Sequence, residues 1–580
     1  MRVRIYILII FSAFVLLFAG LFNLQIRQHE RYKLLSEENR LKIIPLLAPR
    51  GAILDRNGDP LVKDILSFDA CIIHSQVKDF DRLTDILSEV LGLAPEEISH
   101  AMKKAGARPY SPVCVAADIG MEKAVHIEES AATQPGMILD ISSRRKYFHA
   151  ESASAILGYL GTINRKEFEK LKHYGYSIND MVGRAGVERT YDDYLRGTHG
   201  GKQVEVDHLG RELRILGYRE PVPGKDVYLT IDGRLQRYCD ELLEDKQGAI
   251  VAMYSDTGEV LALSSAPDFD PEIFVDRKRN DEASSILKRK DYPLMNRAVS
   301  GVYPPGSIFK AVVACAGLDS GVLSTSDAFY CPGSLTLGGR VFHCWRESGH
   351  GEQVLKEAIK NSCNVFFWKL GLMLGVDRIA EYGSKFGIGK RTGIDLPAEA
   401  AGVRPTRVWK RKSIGEKWYR GETLNYSVGQ GYLLCTPLQI ARLMAVFANR
   451  GYLVKPYVVS RVDDIEINTP HAEKLDLPGD VIDTVRDGLR KVVNDRRGTG
   501  VKARLADVVV SGKTGTAQTS RGKDHGWFAG FAPFEGENIT VVILDEYGGK
   551  GGYYAAGTAG KVLEKAHDLG LMERGPDKRR

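Results

Sequence analysis

What this chain lacks first is an excess of charge of one sign. Its 80 lysines and arginines stand against 74 aspartates and glutamates, a formal charge of +6 over 580 residues. No basic tract with interleaved aromatics stands out, which argues against a nucleic-acid binder. Internal repeats and low-complexity tracts are also missing, so a repeat array is excluded. Beyond Ile26 no hydrophobic run approaches the roughly 18 residues of a second membrane span. Everything after Arg27 therefore lies on one side of whatever the first run crosses. Between residues 60 and 225 no acid–base cluster stands out, so that region reads as non-catalytic.

What is present begins with Ile5 to Ile26, a run without a charged residue. At 1.5 Å per residue it spans roughly 33 Å, enough for a bilayer core. Arg2 and Arg4 precede it and no small-residue cleavage site follows, so an uncleaved anchor is expected. Residues 1–4 would be its cytoplasmic end, although Arg27, Arg31 and Lys33 weaken the charge rule. A helical rhythm continues over 27–41 as a stalk. Asn57-Gly58 predicts a tight turn between strands, and Glu96 to Lys104 and Arg165 to His173 predict helices. Pro221-Val222-Pro223-Gly224 marks a boundary, giving a non-catalytic domain over 27–225, a second domain over 226–568 and a charged tail over 569–580. In the second domain Val227 to Ile231, Ala249 to Tyr254, Glu259 to Ser264, Ala506 to Ser511 and Ile539 to Leu544 read as strands, and Arg234 to Asp245 as a helix. Strands at both ends with helices between predict an α+β fold, its sheet closed by the domain's two ends.

The chemistry centres on Pro304-Pro305-Gly306-Ser307-Ile308-Phe309-Lys310. The prolines and glycine stop any helix upstream, and the apolar run after Ser307 predicts a buried helix that begins there. Spacing of three puts Lys310 on the face of Ser307, one turn on. Burial favours the neutral amine, which can take a proton from a serine hydroxyl. Ser-x-x-Lys recurs at Ser75, Ser143, Ser285 and Ser520, so the pair alone means little; only Ser307 heads an apolar helix.

Two further motifs follow in order. Ser362-Cys363-Asn364 lies 55 residues on, and Lys513-Thr514-Gly515-Thr516 a further 151, at the end of the Val508 to Ser511 strand. Together the three form a serine acyl-transfer set. Ser307 attacks a carbonyl, Lys310 accepts its proton, and Ser362 and Lys513 relay it to the leaving amine. Asn364 offers its amide to the substrate backbone. Gly515 lets the strand edge approach the substrate, and the hydroxyls of Thr514 and Thr516, aided by the Lys513 charge, bind a carboxylate. The N–H groups of Ser307 and Thr516 make an oxyanion hole, typically worth about 3–4 kcal/mol of barrier.

On these motifs the chain resembles the class B penicillin-binding proteins over nearly its whole length. Ala48 to Gly58, Gly183-Arg184-Ala185-Gly186-Val187-Glu188, Leu229-Thr230-Ile231-Asp232, Thr392 to Pro397 and Gly429-Gln430-Gly431 resemble further family segments. His525 to Pro533 is most similar to the elongation-type members. Arg145-Lys146-Tyr147-Phe148 departs from the pattern, which usually ends in proline, at a non-catalytic turn. No glycosyltransferase module is seen. The resemblance implies a transmembrane helix, an elongated α/β pedestal and a DD-peptidase-like domain with an antiparallel sheet flanked by helices. It implies a D,D-transpeptidase of the inner membrane, single-pass with its catalytic domain in the periplasm. Such an enzyme crosslinks peptidoglycan stem peptides during elongation, is trapped by β-lactams, and needs no cofactor for the chemistry. It also implies a SEDS-family glycosyltransferase and rod-complex membrane proteins as partners. His525 and Trp527 would line the groove near Lys513, although core packing explains Trp527 equally well.

Of eight cysteines, three cluster with a histidine: Cys331, Cys344, His350 and Cys363. The stretch is rich in glycine and poor in apolar residues, so it needs a staple, and three cysteines with a histidine make a closed structural zinc set. A Cys331–Cys344 disulfide or free thiols compete with that reading, and His343 is a substitute ligand. Cys71, Cys114, Cys239, Cys315 and Cys435 read as buried single thiols. Two other functions compete with this reading. A penicillin hydrolase or D,D-carboxypeptidase needs a base for water, and Glu422-Thr423-Leu424-Asn425 resembles such an element one residue short. A non-enzymatic β-lactam sensor or polymerase-regulating scaffold would not need all three motifs.

Overall fold

The computed structural model describes residues 2–30, 32–33, 41–107, 109–110, 112–149, 151–178, 180–207, 212–276, 279–519, 522–536, 538–549 and 552–572. Parts of the expected 27–41 stalk and 569–580 tail, and Ser520, lie outside the described residues. A helix over Arg2–Phe22 continues as a wider turn over Asn23–Arg27. Its apolar stretch Val3–Arg27 has a mean hydropathy of 2.8 and no part of it is buried, so by length and composition it can cross a membrane.

The chain forms two compact units that no single cut separates. One holds residues 1–51, 64–145 and 196–224; the other holds 52–63, 146–195 and 225–580. Residues 52–63 and 146–195, which the sequence groups with the non-catalytic domain, therefore belong with the catalytic unit. The reason is burial: Ile53, Val62, Ile156, Leu157, Val187 and Tyr191 share one apolar core with its strands and helices.

In the first unit, helices Phe80–Leu91, Pro95–Gly106 and Gly120–Thr133 contribute Leu83, Leu87, Ile98 and Ile127 to a separate core. Asp79 caps the first helix, accepting the Arg82 N–H at 3.0 Å. The Cys71 and Cys114 thiols, expected to be separate, instead form a disulfide between directly opposed residues of antiparallel strands. Their separation of 43 residues hides the pairing from local inspection. A further three-stranded sheet joins Leu41–Leu46, Gly200–Val206 and Glu212–Arg219.

The second unit is built on a five-stranded antiparallel sheet. Its order is Val260–Ala266, Gly248–Tyr254, Ile539–Asp545, His525–Ala532 and Ser511–Ala517. Strands from both ends of the domain meet in its middle, as the sequence predicts. Every residue of the Gly248–Tyr254 and His525–Ala532 strands is buried, so both sheet faces are covered. Helix Pro437–Ala448 packs on three of the strands, and every one of its residues but Arg442 is buried. The Thr436 hydroxyl accepts the Gln439 N–H at 3.1 Å and proline takes the first position, which fixes its start.

One strand begins later than expected. Residues 506–510 are not in a strand, although Val508-Val509-Val510 has high β-propensity; pairing starts at Ser511 opposite Phe531, and Val509 is 46% exposed. The Lys-Thr-Gly-Thr motif consequently lies inside the edge strand Ser511–Ala517 rather than after it.

Candidate active site

Ser307 sits on a single 3-10 turn, Gly306–Phe309, and the α-helix proper starts at Lys310 and runs to Asp319. Ile308 and Phe309 are buried, which leaves Ser307 as the half-exposed residue of the turn. The backbone around it is clamped from two sides. Gly306 has φ +56°, and a Cβ there would lie 2.7 Å from the Thr516 carbonyl oxygen. Its N–H donates to the Gly429 carbonyl at 2.9 Å, and Gly429, at φ +76°, approaches so closely that a Cβ would lie 2.0 Å from the Gly306 oxygen. Gln430 Nε2 donates to the Thr516 carbonyl at 3.1 Å. Gly429 and Gln430 thus tie the serine turn to the edge strand. The sequence flags their segment as family-like and assigns it no task.

Lys310 has no exposed surface. Its Nζ donates to the Ser362 carbonyl at 2.9 Å, the Ser362 hydroxyl at 3.2 Å and Asn364 Oδ1 at 2.7 Å. Burial pushes its amine down to about 8, opposed by the Cys363 and Cys344 thiols. Lys513 is equally buried; its Nζ donates to the Ser362 hydroxyl at 3.0 Å and to the Thr514 carbonyl at 3.0 Å. Burial, with the charge of Lys310, holds it well below the ordinary lysine range. The charge expected of Lys513 towards a carboxylate is therefore disfavoured in this structure. No hydrogen bond joins Lys310 to the Ser307 hydroxyl, which has no partner among the described residues. Catalytic hydrogen bonds in free enzymes are often long and close only on the substrate complex.

Ser362 follows the short helix Leu355–Lys360, and Asn364 opens the helix Asn364–Lys385. Ser362 takes φ +51°, a left-handed conformation that costs a non-glycine residue about 1–3 kcal/mol and aims its hydroxyl between the two amines. Because Asn364 Oδ1 is taken by Lys310, its Nδ2 remains free among the described residues.

The remaining residues depart from expectation in instructive ways. A Cβ on Gly515 would lie 2.8 Å from the Pro305 carbonyl and 3.0 Å from Trp527 Cβ, so this glycine admits the serine turn. Thr514 Oγ1 is engaged with Thr499 Oγ1 at 3.0 Å. Trp527 is 0% exposed and packs edge-on to Tyr303 at 6.2 Å, so it belongs to the core and not to a groove surface. His525 lies under Tyr303 and Tyr547, its Nδ1 accepts the Tyr547 N–H at 3.1 Å, and burial lowers its pKa. Sequence reasoning missed Tyr303, two residues before Pro305, whose hydroxyl donates to Glu546. Arg297 binds the same carboxylate at 3.1 Å.

Cys331, Cys344, His350 and Cys363 converge, with all four potential ligand atoms within 4.8 Å of one another. His350 Nδ1 faces the Cys331 and Cys344 sulfurs at 3.6 Å each, while its Nε2 is buried without a hydrogen-bond partner. All three cysteines are free thiols, and neither Cys331 nor Cys344 is in a disulfide. Hydrogen bonding from Cys363, opposed by burial and aided by His350, pulls the Cys344 thiol down. Three soft sulfur donors and an imidazole in a closed shell fit a four-coordinate zinc ion.

Residues 248–566 match the family described as the penicillin-binding protein transpeptidase domain, and residues 45–229 the penicillin-binding protein dimerisation domain. The peptidoglycan D,D-transpeptidase MrdA of Acinetobacter baumannii is 34% identical over 575 residues, 95% of this chain and 84% of that protein. Among solved structures, a complex between PBP2 and MreC from Helicobacter pylori aligns with a TM-score of 0.79 at 28% identity, over 92% of this chain and 99% of the other. A chain of a peptidoglycan synthase complex, solved for the coordination of polymerization and crosslinking, aligns with a TM-score of 0.78 at 35% identity, over 99% of each.

Proposed function

The chain belongs to the class B penicillin-binding proteins of the MrdA type, which are peptidoglycan D,D-transpeptidases, and on that premise we propose how its own residues divide the work. Ser307 Oγ attacks the carbonyl carbon between the last two D-alanines of a stem peptide, and its proton passes to the neutral Lys310 Nζ. The N–H groups of Ser307 and Thr516 receive the oxyanion. The proton crosses the Ser362 hydroxyl to the departing amine, the C–N bond breaks, and D-alanine leaves an ester on Ser307. An amine of a neighbouring stem peptide attacks that ester, gives its proton back along the same path, and frees Ser307 with the crosslink made. Lys513 holds the Ser362 hydroxyl in line, Asn364 Nδ2 and the Thr516 hydroxyl bind the substrate, and Thr514 and His525 back the edge strand.

The observation that carries this reading is the Ser362 hydroxyl shared between two buried amines, at 3.2 and 3.0 Å, with no carboxylate on either among the described residues. A hydrolytic route finds less support. Glu422, the residue that resembles a water-activating base, is bound to Lys410 and accepts the Tyr419 N–H at 2.8 Å. In the test, Ser307→Ala is expected to abolish covalent penicillin labelling and crosslinking of stem peptides. Full crosslinking by that variant sinks the proposal, and sustained turnover of a chromogenic cephalosporin by the wild type in place of a single burst favours hydrolysis.

The Cys331, Cys344, His350 and Cys363 group would hold a structural zinc ion, which when bound ties the loop before Cys363 to Ser362 and Asn364. Native mass spectrometry is expected to show one zinc per chain, lost in Cys363→Ser. The N-terminal helix would anchor the chain in the inner membrane with both compact units in the periplasm. β-Lactams would acylate Ser307. A SEDS-family glycosyltransferase and rod-complex proteins would be partners, by analogy with the synthase complex and the MreC complex of its relatives.

A further inference from the structure

Away from Ser307, the catalytic unit carries a cavity of about 720 Å³ between the helix Asn364–Lys385 and the segment 407–423. This volume falls in the range of small-ligand sites. Its floor is apolar, from Leu372 and Val376 on either side of the non-helical break at Gly375. Its walls carry Arg407, Arg411, Lys412, Lys417 and Arg420, and no acidic side chain lines it. Arg407 reaches Asp377 at 3.2 Å, while the other four cations have no ion-pair partner among the described residues. Natural surfaces interleave signs; here four uncompensated cations converge on one concavity.

Trp418 supplies the second element. Its indole lines the cavity half-buried, and its Nε1 donates to Thr423 Oγ1 at 2.9 Å, which fixes the ring plane. The segment itself is rigidly held. Lys410, fully buried, binds Glu422 and Glu416 and sits over the Tyr419 and Tyr432 rings. Both acids of the segment are thereby paired with Lys410, Glu416 while still 56% exposed, and the remaining cations line the cavity. A held aromatic ring flanked by guanidinium and ammonium groups suits sugar rings, whose C–H faces pack on an indole, bearing carboxylate or phosphate groups that bind Arg and Lys.

We propose that this cleft binds an anionic saccharide, distinct from the peptide end that reaches Ser307. The carboxylates or phosphates pair with Arg411, Lys417 and Arg420, and a sugar ring rests on Trp418. The binding is a separate event from acylation, so its failure and that of the catalytic reading are told apart by penicillin labelling.

The test is calorimetric titration of the full-length protein in detergent with tetragalacturonate, with a phosphorylated mannopentaose and with neutral chitotetraose. The acidic sugars are expected to bind and the neutral one to bind at least about tenfold more weakly. Arg411→Gln with Arg420→Gln, and separately Trp418→Leu, are expected to weaken the acidic sugar about tenfold or more, with the charge variants also flattening its salt dependence. Unfolding temperatures of the variants check that the fold is intact. Binding of tetragalacturonate identifies carboxylate as the anion; binding of the phosphorylated sugar alone identifies phosphate. The proposal is overturned if neither acidic sugar binds at millimolar concentration, or if the intact variants bind as well as wild type. It is also overturned if tetraglutamate or phosphatidylglycerol vesicles bind this cleft as tightly as the sugars, since then a peptide or a membrane surface is its ligand.

Discussion

Among the described residues, three lysines of the catalytic unit have no exposed side chain, and they lie in two opposite surroundings. Lys310 and Lys513 are dry and share only neutral partners: the Ser362 hydroxyl, backbone carbonyls and Asn364. Lys410 is as dry but holds two carboxylates and lies over two tyrosine rings. Burial works against the charge of all three. At Lys410 the Glu422 and Glu416 carboxylates more than reverse it and the amine is pushed up, whereas at Lys310 nothing comparable does and the amine falls to about 8. Desolvation without a counter-charge makes a base; with one it makes a fastener. The difference between catalytic and structural lysine here is two carboxylates, not depth.

Removing the base is the most severe way to probe this contrast. Lys310→Ala is expected to slow penicillin acylation by roughly a thousandfold, within the usual range for loss of a positioned base. Stopped-flow labelling measures it, and a loss under tenfold would show that another group takes the Ser307 proton. Asn364→Asp converts one surrounding into the other by placing a carboxylate where Oδ1 now meets Lys310 at 2.7 Å. It is expected to hold the amine charged, lower acylation at neutral pH by about two orders of magnitude, and move the rate–pH curve to higher pH. An unmoved curve would mean that Lys310 does not set it.

For the wild type the sign is fixed by the depressed pKa. Below about pH 8 Lys310 is protonated and cannot accept a proton; above it the neutral amine dominates. Acylation is therefore expected to rise with pH, by about tenfold between pH 7 and 9, and a rate constant that falls over that interval contradicts the assignment. The mildest effect on rate belongs to Lys410→Met. It leaves Glu422 and Glu416 without their cation, so calorimetry should show a lower unfolding temperature while acylation stays within about threefold.

Much of this site was legible because its chemistry sits in short motifs. Ser307, Lys310, Ser362, Asn364 and Lys513 lie on three segments whose residue types and order already name a proton path, and the sheet closed by both domain ends follows from strand-like runs at 249 and 539. What escaped reading is long-range. Nothing local announces that the Gly429 carbonyl holds Gly306, that the Tyr303 hydroxyl meets Glu546, or that Cys71 bonds Cys114. The left-handed turn of Ser362 is equally silent, since serine has no preference for it. Contrary to the expectation that no basic tract with interleaved aromatics stands out, Arg407 to Arg420 is one, with Trp409, Trp418 and Tyr419 interleaved. A net charge of +6 averaged over 580 residues conceals six cations against one acid in that segment.

The sheet that carries Lys513 has a consequence for how the protein comes into being. Its strand Gly248–Tyr254 pairs on one edge with the nearby Val260–Ala266, but its other edge meets only Ile539–Asp545, nearly three hundred residues later. During synthesis that second edge waits unpaired and open to mispairing until almost the whole polypeptide has emerged. A prematurely terminated chain therefore yields no weaker transpeptidase but an unfinished sheet with Ser307 present and nothing to complete it.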